Sequence, residues 1–189
     1  MVKDLDILCL GSPWDVETLK MIVTTTNPSF YLIPSKTPGA TYKVLWYRIG
    51  AYYSRRCKID LLFPGTMNIP SVPVSSIDHP AVEGVVAAGG SPPPGTIPCA
   101  PFTLVFLLKL QAWAQHLDSD VLRFRLKANT DASDLKTMLP IARRKGVDIR
   151  RREGYLPRSF LASATPRAKR FVGEWPETLR DWRALGFSV

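Results

Sequence analysis

The order of local signals along the chain predicts an α+β protein: a small mixed β-sheet core with flanking helices, followed by a C-terminal helical bundle. Three observations predict it. Short apolar runs rich in β-formers crowd the first third, helical periodicity dominates the last ninety residues, and a proline- and glycine-rich stretch lies between. The expected organisation is an α/β core over 1–78, a connection over 79–100 and a basic helical region over 101–189.

Residues 4–10 read as a strand and lead through Gly11-Ser12-Pro13 into a helix over about residues 14–25. Ser12 is placed to cap it, with Pro13 at its first position and Asp15 and Glu17 favouring the positive end of its dipole. Asn27-Pro28 ends it, because the residue before a proline is pushed out of helical geometry. Residues 30–33 and 42–49 are rich in β-branched and aromatic side chains and flank the turn-prone Ser35-Lys36-Thr37-Pro38-Gly39. A strand over 56–63 closes the block at Pro64-Gly65. Further on, Ser91-Pro92-Pro93-Pro94-Gly95 cannot continue a helix or an interior strand. This stretch is expected to be a surface connection, mobile between Gly84 and Pro98. Residues 102–117 are apolar nearly all round, as in a buried helix. A second helix is expected over 131–145, stopping at Gly146, with weaker helical patterns over 157–172 and 176–185.

Composition narrows the functional classes. An apolar fraction of 46% argues against wholesale disorder. Cys9, Cys57 and Cys99 are too far apart for a zinc knuckle or a redox motif, so a reduced, cytoplasmic protein is the simplest expectation, with the nucleus also open. Lys3, Asp4 and Asp6 interrupt any secretory leader, and Lys109 and Gln111 break the strongest apolar stretch, so no membrane partner is expected. The formal charge is +9. Residues 143–183 hold twelve Arg or Lys against five acids, a net of +7. Such a field attracts polyanions, although it also serves solubility.

The chemistry is concentrated in three carboxylates. Asp4 and Asp6 stand in Lys3-Asp4-Leu5-Asp6-Ile7-Leu8, and Asp60 in Cys57-Lys58-Ile59-Asp60-Leu61-Leu62. Side chains alternate along a strand, so Asp4 and Asp6 share a face about 7 Å apart. If the Asp60 strand lies alongside, its carboxylate comes within roughly 5 Å of that pair. Ionised carboxylates at that range need protonation or a cation between them. Mg²⁺ takes such oxygen ligands and leaves positions for water and phosphate. The alternative for Asp4 and Asp6 is a pair of solvated acids at a strand end. Asp60 sits among Ile59, Leu61 and Leu62, where an unpaired carboxylate is costly.

These two runs resemble the nucleotidyltransferase superfamily of the DNA polymerase β type. Within it, the chain is similar to short fungal members related to the AbiEii-type toxins. The likeness is carried further by Phe30-Tyr31-Leu32-Ile33-Pro34, Tyr42-Lys43-Val44-Leu45-Trp46-Tyr47-Arg48, Leu107-Leu108-Lys109-Leu110-Gln111-Ala112-Trp113 and the stretch from Lys127 through Asp134-Leu135. It covers about residues 1–145, in that order. The resemblance implies a two-ion Mg²⁺ site on Asp4, Asp6 and Asp60, and transfer of a nucleoside monophosphate from a triphosphate to a hydroxyl. It implies phosphate contacts from Lys109 and Lys127, and leaves the acceptor open among a small molecule, RNA and a protein. The family pattern also sets a Gly-Ser or Gly-Gly turn before the first acids, at a helix N-terminus that grips the triphosphate. Here Met1, Val2 and Lys3 precede Asp4, and Gly11-Ser12 follows it. An active enzyme and a fold that binds nucleotide or nucleic acid without turnover are therefore both expectations.

Other residues admit two readings. Lys109 either snorkels at a helix rim or meets phosphate or an acidic centre. Lys127, Asp131 and Asp134 share a helix face if that helix begins early enough. Tyr42, Val44, Trp46 and Arg48 share one strand face, which packs into a core or stacks a base. His79 and His116 have no partners discernible in sequence. Arg143-Arg144-Lys145 and Arg150-Arg151-Arg152 form a solvated or a nucleic-acid-binding surface.

Overall fold

The structure, a computed structural model, describes residues 4–50, 55–82, 95–151 and 154–189. The chain forms two compact units, Met1–Ile69 and Pro70–Val189. A mixed sheet with a helix makes up the first and a helical assembly the second, so the α+β class holds. The stretch expected to be mobile lies largely outside the described residues, as do Lys3 of the opening run and Arg152 of the second basic run.

The described elements of the first unit are β1 (Asp4–Leu8), α1 (Val16–Thr26), β2 (Phe30–Pro34), β3 (Lys43–Arg48) and β4 (Arg56–Leu62). The strands stand in the order β1-β4-β3-β2. β1 runs parallel to β4, whereas β3 is antiparallel to both of its neighbours. A parallel pair needs a long crossover, and α1, β2 and β3 supply it. Alternation sends Leu45, Cys57 and Ile59 to one face, where they are buried beneath Val23 of α1, with Phe30, Leu32, Tyr47, Ile49 and Leu61 around them.

The cap of α1 is Asp15 rather than the expected Ser12. Asp15 adopts extended backbone geometry, and its Oδ1 accepts the Glu17 and Thr18 N–H groups at 2.9 and 3.0 Å. The Thr18 backbone and hydroxyl bonds hold its carboxyl below the usual carboxylate range. Ser12 lies three residues before that cap; its Oγ accepts the Trp14 N–H instead.

The second unit contains α2 (Phe102–Leu117), α3 (Leu122–Arg144), α4 (Arg158–Glu174) and the short α5 (Leu179–Ala184). As expected, α2 is buried through Leu104, Phe106, Leu107, Leu110 and Trp113. α3 begins nine residues before the predicted start. It ends as predicted: Gly146 takes φ +68°, its N–H reaches Arg143, and the Val147 N–H reaches Ala142. Phe171 of α4 is the hub, with ring centroids 5.0 Å from Trp113, 4.4 Å from Trp175 and 5.6 Å from Trp182.

The division between units falls after Ile69, earlier than the boundary at 78 that composition suggests. Residues beyond it pair forward: Asp78 bridges Cys99, Ala81 bridges Thr96, and the Asp78 carboxylate accepts the first N–H of α2, at Phe102. Cys9, Cys57 and Cys99 are free thiols. Among the described residues no helix is long and apolar enough to cross a membrane. Phe171→Ala empties the aromatic hub and is expected to destabilise the helical unit by about 3–5 kcal/mol. Urea denaturation followed by tryptophan fluorescence checks it, and a loss below about 1 kcal/mol would contradict the packing.

Candidate functional site

β1 and β4 pair with Asp6 opposite Asp60 and Asp4 opposite Lys58. Directly paired residues share a face of the sheet, and alternation joins Asp4 to Asp6 and Lys58 to Asp60. Three carboxylates and one ammonium therefore share the face opposite the buried Leu45, Cys57 and Ile59. A slip of one residue in this register would have turned Asp4 and Asp6 away from the Asp60 face.

Lys58 is the member that sequence reading missed. Its Nζ donates to Asp60 Oδ2, and both side chains remain about one-third exposed. Burial pushes the Lys58 ammonium down. The Asp60 hydrogen bond and the fields of Asp60, Asp4 and Asp6 outweigh it, so the group ends above the ordinary lysine value. All three carboxylates thus act on one ammonium. The signal was present in Lys58-Ile59-Asp60, since residues two apart on a strand face the same way.

Among the described residues no three His, Cys, Asp or Glu side chains converge at metal-ligating spacing. The donor set nevertheless suits a hard divalent cation in kind, being carboxylate oxygens on a single face. Lys58 engages Oδ2 of Asp60, so a cation there would use Oδ1 or compete with the ammonium.

The same face continues away from the carboxylates. Trp46 of β3 pairs with Lys58 on one side and with Tyr31 of β2 on the other. The core role expected of this aromatic strand falls to Leu45 and Tyr47, while Trp46 lies half-buried on the carboxylate face. Tyr42 precedes β3 and is exposed.

Lys109 and Lys127 belong to the second unit. Lys109 Nζ lies 3.1 Å from Asp131 Oδ1 and 3.0 Å from Asp134 Oδ2. His116 Nδ1 lies 2.6 Å from the other oxygen of Asp131, and its ring stacks on Phe124. This cluster ties α2 to α3 and satisfies the buried Asp131 carboxylate. Because α3 starts at Leu122, Lys127, Asp131 and Asp134 do share a face, and the Lys127 Nζ lies 6.0 Å from the Phe124 ring centre. His116 gains a partner that the sequence reading did not give it. The clue was its seven-residue spacing from Lys109, two turns along one side of α2.

The chain matches no family pattern and no curated protein. Among solved structures it is similar to the crystal structure of an antigenic nucleotidyltransferase-like protein from Paracoccidioides brasiliensis. The TM-score is 0.61 at 12% identity, over 98% of this chain and 76% of that one. The fold is nucleotidyltransferase-like.

The α2–α3 cluster gives a pH-dependent prediction. Burial pushes the Lys109 ammonium down, but its bonds to Asp134 and Asp131 carry it above the ordinary lysine value. A pKa raised by folding stabilises fully below the unfolded value of about 10.4 and is lost as pH climbs through the folded one. Lys109→Met is expected to melt at lower temperature than wild type near neutral pH. The gap should narrow as pH rises beyond the ordinary lysine value, as followed by circular dichroism melts across pH.

Proposed function

We propose that the first unit is the core of a nucleotidyltransferase that moves a nucleoside monophosphate from a triphosphate to a hydroxyl acceptor. Asp4, Asp6 and Asp60 would hold Mg²⁺. One observation carries this reading: Asp6 stands in register with Asp60, with Asp4 on the same face, in a nucleotidyltransferase-like fold. Bound there, Mg²⁺ would screen the triphosphate charge and make the acceptor hydroxyl easier to deprotonate.

The chain's own residues supply the rest. The carboxylates gather positive charge at a face that would otherwise repel a triphosphate. Lys58, once released by Asp60, offers an ammonium to the phosphate oxygens beside it. Asp60 accepts the proton of the attacking hydroxyl. The new bond joins the acceptor oxygen to the α-phosphorus, the bond from that phosphorus to the bridging oxygen breaks, and pyrophosphate leaves with the electron pair.

The Lys58–Asp60 pair favours a second reading. A built-in ammonium already balances part of the acidic charge, as suits a fold that holds nucleotide or nucleic acid without turnover. Calorimetry with Mg²⁺ and each triphosphate, on wild type and Asp60→Asn, tests the first reading. The variant is expected to bind at least about tenfold more weakly, as loss of one charged ligand predicts. Equal binding by the two proteins would remove the metal role. Transfer of label from the α-phosphate to added RNA or protein would support turnover, whereas tight binding without transfer selects the second reading.

A further inference from the structure

One cross-strand row runs Tyr31, Trp46, Lys58, Asp4, from β2 through β3 and β4 to β1. Strands stand about 4.8 Å apart, so the row is about 14 Å long. The next row sets Arg48 opposite Arg56. The Arg56 guanidinium lies 4.7 Å from the Trp46 ring centre, and that of Arg48 lies 5.3 Å from the Tyr31 ring centre. Two aromatic rings, each carrying a flat cation, thus stand side by side on β2 and β3, with Lys58 between Trp46 and Asp4 in the row.

We propose that this part of the sheet face binds a single-stranded nucleic acid. Successive bases stack at Trp46 and Tyr31, and the backbone phosphates meet Arg56 and Arg48. Any base presents a flat π-face, and a guanidinium seated on an indole or phenol extends the stack while adding positive charge. A lone nucleotide would fill one ring, whereas two rings on neighbouring strands suit consecutive bases. A duplex hides its base faces in its own stack. An acidic peptide would use the cations and leave the rings idle. Residues 1–69, which carry this sheet, hold eight Arg or Lys against five acids, a net of +3, which favours a polyanion over a polycation. The proposal goes beyond the metal reading, because Trp46 and Arg56 contribute no metal ligand.

Fluorescence anisotropy on the whole chain, with metal removed by EDTA, tests it. The probes are labelled oligouridylate, oligothymidylate and an abasic strand of about twelve nucleotides, within the usual site sizes of such platforms. Wild type is expected to bind both base-bearing strands, weakening steeply between about 50 and 200 mM salt. Trp46→Leu should weaken them about tenfold or more and leave the abasic strand unchanged. Arg56→Gln, at an exposed position, should weaken all three and lower the salt slope by about 0.7. Preference for RNA would mean that the 2′-hydroxyl is read, and equal affinity that it is not; both support the site. Three results would overturn it: no binding by wild type, equal binding of a duplex, or losses confined to an Arg150→Gln, Arg151→Gln variant. Circular dichroism of each variant separates lost contacts from lost fold.

Discussion

Parallel pairing of β1 with β4 sets the terms for everything on this sheet face, because it forces acids from the two strands into one electrostatic field. Like charges about 4 Å apart repel by roughly 1 kcal/mol in bulk water and about 4 kcal/mol near a protein surface. Positive charge among the carboxylates therefore favours the arrangement. In this fold the charge comes from the chain itself, through Lys58. Any metal or substrate cation that enters competes with that ammonium for Asp60.

The constraint also divides labour between the two sides of each strand. In β4, Cys57 and Ile59 are buried while Lys58 and Asp60 stay accessible, and in β3 Leu45 goes inwards while Trp46 does not. Period-two alternation thus lets two short segments build a core and a reactive surface together. The helical unit solves its assembly differently. Its aromatic hub around Phe171 supplies apolar burial, and the Lys109–Asp131–His116 cluster fixes how α2 meets α3 with charges that satisfy one another.

The strands, their order along the chain and most helix ends were legible in the sequence, because turn residues and alternation mark them plainly. The early start of α3 was not. Leu122, Phe124 and Leu126 alternate with Arg123, Arg125 and Lys127, a period-two pattern that hides a helix. Leu122 and Leu126 prove to be exposed, so burial never imposed a helical period there, and the favourable propensities of Leu, Arg and Lys carry the first turns. The acids of the candidate site could be named from sequence, as could their shared face along each strand. Their register across strands could not, nor could the pairing of Lys58 with Asp60, since both depend on which strands become neighbours. The two readings of the Trp46 face could not be separated for a similar reason: an aromatic side chain in a strand usually packs inside, and only the sheet order shows which face the helix covers.

β1 is joined to the sheet along one side alone, through β4, with no strand on its other side among the described residues. Leu5 and Ile7 remain 47% and 38% exposed, so little apolar burial anchors it. Rim strands of this kind loosen before the hairpins behind them. Two of the three acids ride on this rim, so fraying would scatter the charge centre while β2, β3 and β4 stayed folded. A ligand gripping both β1 and β4 would act as a clasp, making its own capture and the closing of the rim a single equilibrium.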